Sequence, residues 1–192
     1  MNGKKEWRHT MQQKLIAIDL DGTTLNNQSL ISNHTQETLA KATKAGHIVS
    51  IATGRPFRMS QQFYTQLGLN TPMVNFNGAL VHMPFKKWRF ERELSIRRDI
   101  AFEIVAQKEA LQLDFIAAEN RESFFIDSLD HFESRFFAAP SATTKNLLEN
   151  LKTNPTSLLI KTQKDQTANV SKFLTLQFKD DIDVRTWGGP DA

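Results

Sequence analysis

The feature that most constrains this chain is a pair of carboxylates at the end of an apolar segment. In the stretch LIAIDLDGTTL, an apolar run of the kind that forms a buried strand leads directly into Asp19 and Asp21. Two carboxylates this close repel each other and raise each other's pKa unless a cation lies between them. The pattern is typical of a site built at the edge of a sheet.

The periodicity of the N-terminal part predicts strands that alternate with helices. Two helical patterns occur: the first begins at Ser32 or Asn33 and ends at Gly46, and the second ends at Gly68. Three short apolar runs are predicted to be strands: residues 15–20, 48–52 and 73–76. This order is typical of a parallel sheet with helical crossovers, so we expect an α/β fold with a Rossmann-like core.

The pattern changes between Val81 and Lys87. Trp88, Phe90 and Leu94 share one parity, which predicts half of an antiparallel hairpin. Further segments follow: helices at 99–111 and around 170–174, and strands at 115–116, 124–126, 158–160 and 182–186. We therefore expect three parts: a flexible lead-in at 1–13, the parallel-sheet core at 14–84 and a separate α+β module at 85–192.

Composition excludes several classes of protein. Hydrophobic residues make up 40% and charged residues 23% of the 192, as in ordinary globular proteins. The chain has no cysteine, so disulfides and thiolate metal sites are excluded. No apolar run approaches the roughly 18–20 residues that cross a bilayer, and residues 1–14 lack the apolar core of a signal peptide. We expect a cytoplasmic protein.

The net charge of +3 raises the alternative of a nucleic-acid binder. The basic residues come in small clusters beside acidic neighbours, such as residues 86–89 and 97–98, rather than along one helix face. This distribution favours a solvated surface, and we expect neither a nucleic-acid nor a membrane partner.

Polar side chains follow each of the three predicted parallel strands, at the end where ligands bind in an open sheet. They are Asp19 and Asp21 after the first strand, Thr53, Gly54 and Arg55 after the second, and Asn75, Asn77 and Gly78 around the end of the third. Each group alone is explained by an ordinary turn. The three together favour one site.

The carboxylate pair indicates the chemistry of that site. Mg²⁺ prefers carboxylate, carbonyl and phosphate oxygens, so it is the natural cation between Asp19 and Asp21. Gly22 lets the backbone approach an anion closely, and the amides from Leu20 to Thr23 are placed to surround a phosphoryl group.

Three motifs carry a resemblance to a known family. DLDGTTL resembles the first motif of the haloacid dehalogenase-like phosphatases, SIATGR (residues 50–55) resembles the second, and NFNGALV (75–81) resembles the Asn-Gly-Ala segment of the Cof-type subgroup. The first motif is specific, and the others fall at the expected separations. The resemblance implies that the module at 85–192 is a cap inserted into the core.

The resemblance also implies residue roles. Asp19 would attack phosphorus to form an aspartyl-phosphate. Asp21 would protonate the leaving alcohol and then deprotonate water. Mg²⁺ would bind the Asp19 carboxylate and the Asp21 carbonyl. The expected phosphate- and substrate-binding residues are Leu20, Gly22, Thr53, Gly54, Arg55, Asn77 and Gly78.

Two features that the family needs have no convincing match. The first is a lysine that stabilises the charge of the phosphoryl group, and the candidate Lys161 is better explained as a surface residue. The second is an acidic segment with a glycine turn that completes the metal site, and the acidic run at 179–184 has no glycine. We expect the chain to be a fragment of a longer protein, with weak or no activity alone. Residues 15–20 would then form an open sheet edge, or pair with a partner and make an oligomer.

The leading hypothesis is thus a Mg²⁺-dependent phosphatase of small phosphorylated metabolites, such as sugar phosphates. The alternative from another class is a catalytically silent protein that binds phosphate or regulates. The cap would choose the substrate: Phe124, His131, Arg135 and Phe136 are candidates to face it, although a packed core explains the aromatic residues more simply.

Overall fold

The computed structural model describes residues 12–128 and 144–186, which form nine strands and five helices. The helices are α1 (Asn33–Lys44), α2 (Phe57–Gln66), α3 (Arg98–Ala106), α4 (Leu147–Asn150) and α5 (Thr167–Gln177). The strands are β1 (Leu15–Ile18), β2 (Ile48–Ile51), β3 (Met73–Asn75), β4 (Leu80–His82), β5 (Arg92–Glu93), β6 (Leu113–Glu119), β7 (Phe124–Ile126), β8 (Thr144–Asn146) and β9 (Ser157–Thr162).

The first sheet carries the parallel strands that the sequence predicts. β1 pairs in parallel with β2, and a parallel bridge between Ala52 and Val74 joins β2 to β3. β4 and β5 then add antiparallel strands beside β3. The α/β fold class is therefore confirmed, with the ends of β1, β2 and β3 at one edge of the sheet.

Short apolar segments and helix-end residues explain these elements. The Ser32 hydroxyl accepts a hydrogen bond from the Thr35 N–H at 3.1 Å and begins α1, as predicted. Gly46 follows the helix with a φ of +91°, a conformation that favours glycine. Leu20, Ile51, Phe63 and Met73 lie in the buried cluster against the sheet, with further members Leu25, Ile31, Phe57 and Tyr64.

The second sheet has the order β8-β7-β6-β9 and its own core. Residues of α3 and α5, among them Ile104 and Leu174, pack on one face, and Phe115 and Phe124 belong to a smaller cluster that is also buried. Phe124 has 0% exposed surface, so it is a core residue, as the simpler explanation held.

One predicted strand is displaced and another is wrong. The predicted antiparallel hairpin forms between β4 and β5, but Trp88 and Phe90 precede its second strand. Residues 83–91 form turns between β4 and β5, and the rings of Trp88 and Phe90 contact each other edge to face at 5.6 Å instead of facing a neighbouring strand. Residues 182–186 form no strand, although Ile182 and Val184 pack against the core of the second sheet. The alternating residues Trp88 and Phe90, and likewise Ile182 and Val184, therefore lie outside the strands.

β1 lies at the edge of the first sheet and pairs with β2 alone among the described strands, with Leu15 69% exposed. No helix among residues 12–128 and 144–186 is long and apolar enough to cross a membrane. β5 pairs with β4, and the boundary at residue 84 stays a prediction. His131, Arg135, Phe136, the lead-in up to residue 11 and the last six residues lie outside the described ranges.

Candidate active site

The first loop of the site is a tight turn at residues 20–24, directly after β1. Leu20 has no exposed surface and anchors the turn, and the Leu25 N–H closes it by donating to the Leu20 carbonyl at 2.8 Å. Gly22 has a φ of +66°, which an L side chain would strain. The turn leaves the side chains of Asp19 and Asp21 exposed, so both carboxylates are accessible to a ligand.

The second loop, residues 53–55 after β2, contacts the first through an ion pair. The Arg55 guanidinium donates two hydrogen bonds to the Asp21 carboxylate, from Nε to Oδ2 at 2.8 Å and from Nη2 to Oδ1 at 2.6 Å. These bonds and the positive charge hold the pKa of Asp21 below its ordinary value against a smaller opposing effect of burial, and Asp21 in turn raises the pKa of Arg55. Asp21 is thus held ionised.

The third loop, Phe76–Gly78 after β3, contacts the second through its backbone and one side chain. The Asn77 N–H donates to the Thr53 carbonyl at 3.3 Å. A Cβ at Gly54 would lie 2.7 Å from the Asn77 Oδ1, so a larger residue at position 54 would make this amide move. The three strand ends therefore converge as the sequence predicts, with the asparagine side chain packed on the middle loop.

The remaining predicted site residues take up distinct places. Leu20 is buried, so only its backbone can reach a ligand. Thr53 is 5% exposed, and its hydroxyl oxygen accepts from the Arg55 N–H at 3.2 Å, which leaves the hydroxyl proton to donate elsewhere. Gly78 has a φ of +105° next to Asn77. Arg55 contacts Asp21, and its expected role towards substrate stays a prediction.

The oxygens expected to bind Mg²⁺ lie on the same side of the first loop. The Thr23 hydroxyl oxygen is 3.5 Å from both the Asp19 Oδ2 and the Asp21 carbonyl oxygen. This arrangement fits a magnesium ion, which keeps several waters or takes phosphate oxygens besides one or two protein oxygens. No group of three or more His, Asp or Glu residues suited to a metal occurs in the part of the chain that the structure describes.

A cavity of about 970 Å³ lies between the site loops and the second sheet. Gly54, Asn77 and Gly78 line it on the core side, and Glu119 and Lys161 line it on the cap side. Lys161 is part of β9. A cavity of this volume lies within the range of pockets that hold small molecules.

An ion pair that the sequence did not reveal joins α2 to the cap. Arg58 and Glu119 form a salt bridge in which the two side chains are 8% and 3% exposed. Burial raises the pKa of Glu119, and the neighbouring Arg58 opposes that rise. The guanidinium of Arg58 also lies 5.1 Å from the centre of the Phe124 ring. Nothing in the local pattern around either residue indicates its partner 61 positions away.

Asn75, Ser60 and His82 form a second unexpected group, a buried polar network beside the second loop. The sequence places Asn75 among the ligand-facing polar residues, but its side chain has no exposed surface. The sequence signal for this network was a polar residue, Asn75, at the end of an apolar strand. It could equally indicate a ligand contact or a structural hydrogen bond.

Comparisons with known proteins identify the family of the chain. Residues 16–190 match the family of haloacid dehalogenase-like hydrolases. The chain is 34% identical over 178 residues to the 5-amino-6-(5-phospho-D-ribitylamino)uracil phosphatase YitU of Bacillus subtilis, covering 92% of this chain and 66% of that protein. It is 38% identical over 72 residues to the pyridoxal phosphate phosphatase YbhA of Escherichia coli, covering 38% of this chain and 26% of that protein.

Solved structures show the same fold. A haloacid dehalogenase-like hydrolase from Bacteroides thetaiotaomicron superposes with a TM-score of 0.77 at 20% identity, over 91% of this chain and 68% of that one. The protein TM0651 of Thermotoga maritima superposes with a TM-score of 0.69 at 21% identity, over 88% and 64%. The chain thus spans about two thirds of the length of these structures and of the first relative.

Proposed function

The chain belongs to the haloacid dehalogenase-like hydrolase family, and from this membership we propose that it is a Mg²⁺-dependent phosphatase of small phosphorylated metabolites, with Asp19 as nucleophile. The observation that carries the proposal is the convergence of the three strand ends, in which Arg55 joins the Asp19–Asp21 turn to the Thr53 loop. The names of YitU and YbhA, both phosphatases of small phosphorylated compounds, support the substrate class.

The proposed reaction has two steps. In the first, an Asp19 carboxylate oxygen bonds to phosphorus while the bond from phosphorus to the alcohol oxygen breaks, and Asp21 gives that oxygen a proton. In the second, Asp21 takes a proton from water, the water oxygen bonds to phosphorus, and the bond to Asp19 breaks to release orthophosphate. The Thr53 hydroxyl, which accepts from the Arg55 N–H, would donate its own proton to a phosphoryl oxygen.

The Asp19 carboxylate and the Asp21 carbonyl oxygen would hold the magnesium ion. When bound, the ion supplies positive charge that offsets the repulsion between the nucleophile and the substrate phosphate. Leu20, which is buried, anchors the turn, and the amides of residues 20–23 would surround the phosphoryl group.

The Arg55 pair favours one of the two roles of Asp21. An ionised Asp21 is ready to act as a base, but a general acid needs a proton at the start of the reaction. A phosphate dianion beside Asp21 raises the pKa of the carboxyl, because like charges disfavour the ionised form. Substrate binding is therefore the event that prepares Asp21 to protonate the leaving group.

The test is to trap the phosphoryl group on Asp19. The chain is incubated with Mg²⁺ and acetyl phosphate, quenched in acid and analysed by peptide mass spectrometry. We expect one phosphoryl group on Asp19, more of it in Asp21→Asn, and none in Asp19→Asn. Asp165→Asn, at an exposed position before α5, is the matched control and should behave as the unchanged chain. Absence of the adduct in Asp21→Asn would overturn the proposal.

One observation favours the silent, phosphate-binding alternative. The acid–base carboxylate is engaged by Arg55 on both of its oxygens, as in a protein that keeps the site's shape without turnover. This second candidate predicts that orthophosphate binds to the chain and that acetyl phosphate leaves no adduct on Asp19.

The other expected properties also remain proposals. We propose a cytoplasmic protein whose partner is a small phosphorylated metabolite rather than a nucleic acid or a membrane. The open edge of β1 is proposed to pair with a second chain, and sedimentation of the chain at rising concentration tests this pairing. A mass that stays that of one chain at all concentrations would contradict it.

A further inference from the structure

A network of buried polar side chains contacts the main chain of Arg55. Ser60 of α2, Asn75 of β3 and His82 of β4 each have 0% exposed surface. The proposed reaction uses none of them. A buried polar group costs free energy unless it is hydrogen-bonded, and apolar residues would fill these positions at lower cost. The network therefore needs an explanation beyond packing.

Asn75 is the centre of the network, and its orientation follows from its partners. Its Nδ2 donates to the Arg55 carbonyl oxygen at 2.8 Å, an atom that can only accept. The Nδ2 also donates to the Ser60 hydroxyl oxygen at 2.9 Å, because the Ser60 proton is directed to the Pro56 carbonyl at 3.0 Å. Both hydrogens of the amide are thus used.

This orientation fixes the state of His82. The Oδ1 of Asn75 can only accept, and it lies 2.9 Å from the His82 Nε2, so that nitrogen carries a proton. The Nδ1 of His82 is buried without a hydrogen-bond partner among the described residues. A proton there would be buried and unpaired, so His82 is the neutral tautomer with its hydrogen on Nε2.

The surroundings of His82 keep it neutral. Burial, and to a smaller degree the charge of Arg121, lower the pKa of His82 to about 4. The Phe57 ring meets the imidazole edge to face with 4.8 Å between ring centres. At neutral pH the imidazole therefore remains a neutral donor to Asn75.

We propose that Asn75 and His82 are positioning residues that hold the main chain of Arg55 in the place from which its guanidinium reaches Asp21. The inference rests on the proposed function, since it concerns the acid–base group of that reaction. His82 orients Asn75, Asn75 holds the Arg55 carbonyl, and the Arg55 side chain holds Asp21.

Two hydrogen bonds hold the Arg55 carbonyl, and they differ in length. The Arg55 carbonyl has a second donor, the Phe76 N–H, at the longer distance of 3.3 Å. Asn75 provides the shorter bond at 2.8 Å and also ties the loop to Ser60 in the first turns of α2. Without Asn75 the carbonyl keeps only the longer bond from Phe76, and β3 loses its side-chain hydrogen bond to Ser60 of α2.

The test uses NMR to measure the protonation of His82 and the hydrogen exchange of the Arg55 Nε–H. In the unchanged chain, ¹⁵N spectra should show His82 protonated on Nε2 alone at neutral pH. The Arg55 Nε–H should exchange slowly, because it donates to the Asp21 carboxylate. In Asn75→Leu and His82→Leu we expect this exchange to become about tenfold faster or more, as follows from losing a hydrogen bond to a charged group.

Two further variants separate positioning from stability. His82→Gln keeps an N–H donor near the Nε2 position, so it should restore slow exchange of the Arg55 Nε–H. Tyr64→Phe is the matched control on α2: it loses the hydrogen bonds between the Tyr64 hydroxyl and Thr71, at 2.9 and 3.1 Å, and leaves the hydrogen bonds of the network in place. It should lower the melting temperature and leave the Arg55 exchange slow.

Each outcome decides between the alternatives. A His82 protonated on Nδ1, or charged at neutral pH, overturns the inference even if the Asn75 variant does not fold. Slow Arg55 exchange in His82→Leu, or equally fast exchange in Tyr64→Phe, also overturns it. These measurements need no turnover, so failure to phosphorylate Asp19 would reject the proposed function and leave the positioning pair standing.

Discussion

Arg55 and Asp21 are 34 residues apart in the sequence and form a two-bond ion pair that joins the first loop of the site to the second. The pair explains how the chain tolerates two carboxylates at the end of β1. A guanidinium offsets the charge of Asp21, while Asp19 stays exposed to solvent and accessible to a cation or a substrate.

We expect Arg55→Ala to shift the pH dependence of phosphate release from Asp19 to higher pH. Arg55 lowers the pKa of Asp21, so the carboxylate stays ionised, and able to act as a base, down to a lower pH than usual. Without the guanidinium that pKa rises, and the acidic loss of rate begins at a higher pH. Single-turnover loss of the phosphoryl group from Asp19, followed against pH, measures the change.

Arg55→Lys is the informative partner of that variant. Lysine keeps the charge but cannot make the two parallel bonds, so its profile should lie between the other two. Identical profiles for the unchanged chain and Arg55→Ala would show that Arg55 does not set the ionisation of Asp21.

We expect Gly54→Ala to weaken orthophosphate binding by roughly tenfold, the order of effect of about 1.4 kcal/mol. The new Cβ would lie 2.7 Å from the Asn77 Oδ1, so the amide has to move out of its place on the loop. Asn77→Gly suits the φ of +55° at that position and removes the obstructing side chain. In the double variant, adding Ala at 54 should therefore cost little more than Asn77→Gly alone. Titration calorimetry with orthophosphate gives the four affinities, and strictly additive losses would contradict the contact.

The sequence was a good guide where a local pattern and the tertiary structure agree. The strands at the ends of which Asp19, Thr53 and Asn77 lie are short apolar runs bounded by turn residues, and all three form in parallel register or by a parallel bridge. Ser32 begins α1 because a hydroxyl at that position satisfies a free backbone N–H. Such signals depend on a few neighbouring residues.

The errors have the opposite origin. Trp88 and Phe90 alternate like strand residues, but their rings contact each other in a turn. The fold brings together the residues of the Asn75 network, and it also brings Arg58 to Glu119. A single sequence does not indicate such tertiary contacts.

We expect Glu119→Gln to destabilise the fold by about 3–5 kcal/mol, because it leaves the charge of Arg58 buried without its partner carboxylate. The side chains are 8% and 3% exposed, so water can replace little of the lost interaction. Urea unfolding measures the change. The combined variant Arg58→Met with Glu119→Leu should recover most of the loss, since no charge then remains buried.

The exposed pair of Arg185 with Asp183 is the control for that experiment. Its side chains are 62% and 75% exposed, and Asp183→Asn should change the free energy of unfolding by less than about 1 kcal/mol. Equal effects at the buried and exposed pairs would show that the link between α2 and the cap does not stabilise the fold.

The last prediction concerns the pH dependence of stability at His82. The native pKa of about 4 lies below the ordinary value of 6.5, so between these pH values the unfolded chain binds a proton that the folded chain does not. The free energy of unfolding therefore falls as the pH is lowered from 6.5 towards 4, and no contribution of this kind occurs above 6.5. His82→Gln has no such proton, so its stability relative to the unchanged chain should improve steadily across this range. His34→Gln, at an exposed position of α1, provides the comparison curve for loss of a histidine outside the network. Thermal unfolding at several pH values measures the three curves. Parallel curves for the unchanged chain and His82→Gln would show that folding does not lower the pKa of His82.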